Sequence, residues 1–125
     1  MLLGVTGSIA AYKALDLASK LVQANAHVVA MLTGGAARFV SPLAFGAITH
    51  RPAVTELYDP QSEMGIDHVV LAEQADLVIV APATANTLAK MAHGLADDPV
   101  TTTLLATAAP VLVAPAMDAH MFEHP

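Results

Sequence analysis

The sequence predicts an α/β fold, a three-layer Rossmann-like or flavodoxin-like domain with a central parallel sheet. Two observations carry that reading. Short runs rich in Leu, Val and Ile recur at Leu2–Val5, His27–Leu32, Ala53–Leu57, Leu77–Ala81 and Val111–Ala114, each apolar on both faces, as strands of a sheet covered on both sides are. Helical stretches at Ala10–Gln23, Pro42–Thr49, Ala85–His93 and Pro99–Ala108 separate them, so strand and helix alternate along the chain.

The helices carry their own signatures. Ala10–Gln23 places Leu15, Ala18, Leu21 and Val22 on one stripe, the face that covers a sheet. Ser41-Pro42 and Asp98-Pro99 each set an N-cap residue before a proline at the first helical position, and Gly94 stands where the preceding helix must end. Asp59–Gly65 reads as a polar loop. With 125 residues, 55% hydrophobic and 13% charged, the chain can bury one substantial core, and we read residues 1–125 as a single domain.

Composition narrows the partners. A net charge of −6 with five scattered Lys and Arg argues against nucleic acid. No apolar run reaches the roughly 18 residues that cross a bilayer, and the first strand lacks the basic start of a signal peptide, so no membrane partner and a cytoplasmic location are expected. The absence of Cys rules out disulfides and thiolate metal sites within these residues. So few charges beside so much apolar surface predict a homo-oligomer.

Three strand ends point to the chemistry. Leu2–Val5 runs into Thr6, Gly7, Ser8 and Ile9; Leu77–Ala81 runs into Pro82, Thr84, Asn86 and Thr87; Val111–Ala114 runs into Pro115 and Asp118. Small and hydroxyl residues between a buried strand and an Ala-rich helix leave backbone N–H groups free at the positive helix end, which suits a phosphate. Gly4-Val-Thr-Gly7-Ser-Ile-Ala10 is only a loose relative of G-x-G-x-x-G, and the second strand ends in Thr33 where a dinucleotide site needs an acid for the ribose. Hydroxyls and amides at Thr6, Ser8, Thr33, Thr84, Asn86 and Thr87 therefore favour one phosphate held by neutral donors, and FMN over NAD. The plainer alternative is that these Ser and Thr residues only cap helices.

The ordered motifs Gly4–Lys13, Ser41–Phe45, His68–Ala72, Pro82–Thr87 with Gly94–Asp98, and Pro115–Asp118 with Met121 resemble the homo-oligomeric flavin-containing cysteine decarboxylases over essentially the whole chain. Within that family the resemblance is to the phosphopantothenoylcysteine decarboxylase branch. It implies FMN-dependent decarboxylation of 4'-phosphopantothenoylcysteine to 4'-phosphopantetheine in coenzyme A biosynthesis. Oxidation at the thiol-bearing carbon gives a thioaldehyde that accepts the electron pair as carbon dioxide leaves. The same resemblance implies a trimer or a dodecamer of trimers.

Carried over by position, the resemblance gives Gly7, Ser8, Ile9, Thr33, Thr84, Asn86 and Thr87 to FMN, with Phe39 near the ring. His68 matches the catalytic histidine, an imidazole suited to thiol deprotonation; read by itself, it is a polar residue at a strand start. Asp118 and Met121 fall in the substrate motif. Asp118 replaces the family's Asn, exchanging an amide donor for an acid that is acceptor-only when ionised, and Phe122 stands in place of a Trp. The family's C-terminal clamp, with its reducing-step cysteine, is expected to lie outside these residues, in a longer chain such as one joined to the synthetase domain that makes the cysteine conjugate. A non-catalytic FMN-binding protein, or a decarboxylase of another cysteine-containing substrate, is the alternative. His120-Met-Phe-Glu123-His124 matches H-x-x-E-H, but Pro125 follows at once and a third ligand is not evident, so no metal is expected.

Overall fold

The computed structural model describes residues 1–57 and 68–125. In chain order the elements are β1 (Leu2–Val5), α1 (Ala11–Gln23), β2 (Val29–Leu32), a 3-10 turn (Ala36–Arg38), α2 (Pro42–Thr49), α3 (His68–Gln74), β3 (Val78–Ala83), α4 (Ala85–His93), α5 (Pro99–Ala106), β4 (Val111–Pro115) and α6 (Ala119–Glu123). The strands form one parallel sheet in the order β2-β1-β3-β4. The chain leaves β1 toward β2 on one side and returns to β3 on the other, so the topological switch lies between β1 and β3.

Alternation along the strands sorts the core into two layers. Leu3, Val5, Ala30, Leu32 and Ile79 face Ala11, Ala14 and Ala18 of α1 and Phe45 of α2, whereas Leu2, Met31, Val78 and Val80 face Val100 of α5, with Leu71 and Ala75 packed alongside. Full burial of each Leu or Val contributes about 2 kcal/mol. Gly4 lets α5 lie flat on the sheet, because a Cβ there would sit 2.8 Å from Val100 Cγ1.

The caps form as the sequence predicts. Ser41 Oγ accepts from Leu43 N–H ahead of α2, Asp98 and Thr101 make a reciprocal capping box at α5, and Gly94 ends α4 with φ at 70°. Lys90 reaches from α4 to Asp97 at 2.8 Å and Asp98 at 3.7 Å, fastening the junction of α4 and α5.

Several expectations need correction. The run Ala53–Leu57 is no strand: only Val54 bridges Met31, since Pro52 has no N–H to give a ladder and Thr55 and Glu56 face outward. His68 opens a helix, not a strand; the β-branched Val69 and Val70 imitate strand composition, while Leu71 and Ala75 pack beside α5. Strand β4 is not covered on both faces, with Val111 40% and Leu112 58% exposed. The predicted loop Asp59–Gly65 lies outside the described residues. No helix among the described residues is long and apolar enough to cross a membrane.

Candidate functional site

Because all four strands are parallel, their carboxyl ends share one edge, and the loops after β1 and β3 lie side by side at the switch point. Thr6 ties these two loops together. Fully buried, it donates from Oγ1 to the Pro82 carbonyl at 2.6 Å and accepts from the Thr84 N–H at 3.0 Å, while its own N–H reaches the Pro82 carbonyl at 3.3 Å. The Thr6 hydroxyl is thus structural and not turned toward a ligand, contrary to its place among the neutral phosphate donors.

The loop after β2 docks against the first. A Cβ on Gly7 would lie 3.0 Å from Gly35 Cα, and one on Gly35 would lie 3.2 Å from Gly7 Cα, so two backbones meet where no side chain fits. Gly35 was not singled out from the sequence; the Gly34-Gly35 pair directly after a strand end is the signal that marks it. Thr33 Oγ1 accepts from Ala36 N–H at 3.1 Å and keeps its own proton to donate.

The remaining donors are largely backbone. Ser8 Oγ accepts from Ala10 N–H at 3.1 Å in the turn that precedes α1, whose N-cap Ala10 has no side-chain cap, and Thr84 Oγ1 accepts from Thr87 N–H at 3.2 Å and caps α4. Thr84 and Thr87 also pair through their hydroxyls at 3.2 Å, and Thr87 is buried. Of these residues Thr84 caps an α-helix, whereas Ser8 and Thr33 hold loop turns. The N–H groups of Gly7, Ile9, Gly34 and Gly35 have no acceptor among the described residues, and those of Ala85 and Asn86 are the orphan donors of the first turn of α4. Asn86 is exposed at that end, and its side chain has no hydrogen-bond partner among the described residues. Free N–H donors in the loops after β1 and β2 and at the start of α4, with an uncharged lining, make a seat for a single anion.

The other predicted residues stand on the elements that follow β1, β2 and β4 and at the start of α3. Phe39 follows the 3-10 turn and is 55% exposed; Ile9 is 78% exposed beside the first loop. The loop after β4 joins the edge through Ala116 N–H, which donates to the Ala83 carbonyl at 3.0 Å. Beyond it, Asp118 Oδ1 accepts from His120 N–H at 2.8 Å and starts α6, on which Met121 is exposed. His68 begins α3, where the backbone alone is described. No cluster of metal-binding side chains occurs among the described residues.

The family profile described as Flavoprotein matches residues 1–125. The chain belongs to the flavoprotein family. Among curated relatives of this flavoprotein, the bifunctional coenzyme A biosynthesis protein CoaBC of Bacillus subtilis is 54% identical over 125 residues, covering 100% of this chain and 31% of its own length. A Streptococcus mutans protein named as a probable phosphopantothenoylcysteine decarboxylase is 43% identical over 127 residues, covering 100% of this chain and 71% of its own length. The flavoprotein chain thus spans about a third of the bifunctional relative and most of the shorter one. Among solved structures, the FMN-dependent cysteine decarboxylase SpaF superposes with a TM-score of 0.90 at 36% identity, covering 99% of this chain and 71% of that one. A PPC decarboxylase variant complexed with pantothenoylaminoethenethiol superposes with a TM-score of 0.80 at 29% identity, covering 99% and 70%. The α/β class, the parallel sheet and the family expected from the motifs all stand.

Proposed function

We propose that this chain is the FMN-binding domain of a phosphopantothenoylcysteine decarboxylase, converting 4'-phosphopantothenoylcysteine to 4'-phosphopantetheine in coenzyme A biosynthesis. The observation that carries the reading is the donor set at the switch point. Free backbone N–H groups in the loops after β1 and β2 and at the start of α4, with a Thr33 proton to spare and no lysine or arginine among them, fit the single phosphate of FMN. The FMN dependence of the cysteine decarboxylase SpaF and the decarboxylase name of the Streptococcus mutans relative point the same way.

In this reading Gly7, Ser8, Ile9, Thr33, Thr84, Asn86 and Thr87 hold the cofactor, directly or by fixing the loops that do, and Phe39 flanks its ring. Bound FMN would supply the hydride acceptor for the oxidation and, once reduced, the hydride donor that returns the decarboxylated enethiol to the thiol level of 4'-phosphopantetheine. His68, at the first residue of α3, takes the substrate's thiol proton on an imidazole nitrogen, which is chemistry that imidazole performs near neutral pH. Asp118 and Met121 meet the carboxylate end of the substrate. One Asp118 oxygen is already engaged by His120 N–H, so the exposed second oxygen is the one turned to ligand. The protein acts in the cytoplasm as a homo-oligomer. Ile9, Tyr12, Phe39 and Leu43 support the assembly, because all four are large, more than half exposed, and grouped around the first two loops.

The visible spectrum of the purified protein, followed by identification of the small molecule that denaturation releases, tests the cofactor. Released FMN is the expected result, and carbon dioxide release from 4'-phosphopantothenoylcysteine tests the reaction. A colourless protein that takes up no added FMN would sink the proposal; bound FMN without turnover would leave a flavin-binding module.

A further inference from the structure

A second hollow lies at the opposite edge of the sheet. Its volume is about 640 Å³, and its floor is made by Leu2 and Val29, the first residues of β1 and β2, together with Leu71 and Ala75. Its rim carries His27, His50 and Arg51. Among the described residues that line it there is no Asp or Glu, in a chain with eleven acids and only five Lys and Arg.

Arg51 is placed unlike the paired lysines. Lys20 meets Asp16 at 2.7 Å and Lys90 meets Asp97 at 2.8 Å, whereas Arg51 Nη2 lies 3.4 Å from His27 Nδ1 and meets no carboxylate among the described residues. A guanidinium against an imidazole leaves the cation without a counter-charge and keeps its remaining N–H donors available. His50 adds a second observation. It ends α2 with φ at 61°, a left-handed conformation that costs an L side chain energy and that glycine would adopt freely, yet an imidazole is kept there, on the rim.

We propose that this hollow binds a small phosphate monoester with a short apolar chain, the dianionic head on Arg51, His27 and His50 and the chain on the apolar floor. A guanidinium with two imidazoles matches a dianion better than a single carboxylate. The 640 Å³ hollow is of ordinary ligand-pocket size. It lies at the amino ends of the strands, away from the switch-point loops, so occupancy there is independent of the flavin.

Equilibrium dialysis of the FMN-loaded protein, whose switch-point phosphate seat is filled, with radiolabelled n-hexyl phosphate tests it. One saturable site per chain is expected, with Arg51→Gln weakening binding roughly tenfold, the loss of a charge-assisted contact, and His27→Gln weakening it less. Both side chains are exposed, so neither variant should unfold the protein. Inorganic phosphate and n-hexanol should each compete poorly, because each satisfies only half of the site. Wild-type affinity in Arg51→Gln would place the probe elsewhere, and hexyl phosphate binding no better than inorganic phosphate would leave no role for the apolar floor. Either result overturns the proposal, as does the absence of saturable binding.

Discussion

The loops after β1 and β3 differ sharply from the loop after β4, although all three stand on the same sheet edge. The first pair is fastened from within: Thr6 is fully buried and joins Pro82 to Thr84, while Gly7 and Gly35 touch backbone to backbone. Beyond Ala116, the loop after β4 is a surface feature, with Asp118, Met121 and Phe122 exposed. The contrast separates two tasks. A phosphate seat needs rigid N–H groups held against a desolvated core, and the chain builds that from its own buried residues. In the proposed function the substrate meets exposed side chains on the far side, so changes there should alter turnover while leaving the fold and the flavin alone.

The largest expected effect comes from Thr6→Val, which keeps the shape and removes both side-chain hydrogen bonds. The Pro82 carbonyl retains Thr6 N–H, but Thr84 N–H is left unpaired, so stability should fall by about 2 kcal/mol. FMN affinity should fall with it, read by urea denaturation and by flavin titration. Thr6→Ser should recover most of both. Unchanged flavin affinity in Thr6→Val would erase the distinction between the two sides.

Asp118→Asn tests the other side. The Asn Oδ1 can take over the hydrogen bond from His120 N–H, since Asn caps a helix as well as Asp, and stability should hold within about 0.5 kcal/mol. The amide then faces outward as a donor where an ionised carboxylate offers none. Decarboxylation of 4'-phosphopantothenoylcysteine should rise by roughly tenfold, a change of about 1.4 kcal/mol in barrier, with flavin affinity constant. Lower turnover would instead give Asp118 a proton-handling or binding role of its own.

Ser8→Ala should do less. It removes the acceptor for Ala10 N–H in the turn before α1, one part-buried hydrogen bond worth about 1 kcal/mol, and it should loosen FMN severalfold through the position of the Gly7 and Ile9 N–H groups. A melting curve with and without flavin separates the two contributions, because a purely local turn contact would lower both curves equally.

The same contrast explains what could be read from the chain alone. Apolar runs placed β1, β2, β3 and β4 within two residues of their ends; for β1 and β3 burial on both faces leaves the continuous apolar signature, whereas β4 carries the same composition on an exposed edge. Proline caps marked the starts of α2 and α5, and Gly94 the end of α4, because Ser41, Asp98 and Gly94 act through local hydrogen bonds. Tertiary choices were less visible. Val69 and Val70 carry strand composition on a helix whose place is set by packing beside α5, and Thr6 looks like any other loop hydroxyl until the strand order brings Pro82 beside it. Gly35 shows its purpose only against Gly7, 28 positions away in the chain. Local chemistry marked where the loops are; sheet order decides which of their atoms face the ligand.

The smallest effect lies at the junction of α4 and α5, beyond either loop. The hydrogen bond between Lys90 and Asp97 holds the Asp97 carboxyl below its ordinary value of 3.8 and the Lys90 ammonium above 10.5. A depressed acid contributes stability that is present above its unfolded value and lost as pH falls through the folded one; a raised base contributes stability that is present below its unfolded value and lost as pH rises through the folded one. The pair therefore acts across the neutral range and fades at both ends. Asp97 is well exposed, so water screens most of the attraction, and Lys90→Met should lower the melting temperature at about pH 7 by less than any variant above except Asp118→Asn. As pH falls through the lowered value of Asp97, the gap between Lys90→Met and the parent should narrow. A gap that stays constant would mean that Lys90 supports the junction by packing its alkyl stem over Asp98 and the start of α5, with its charge immaterial.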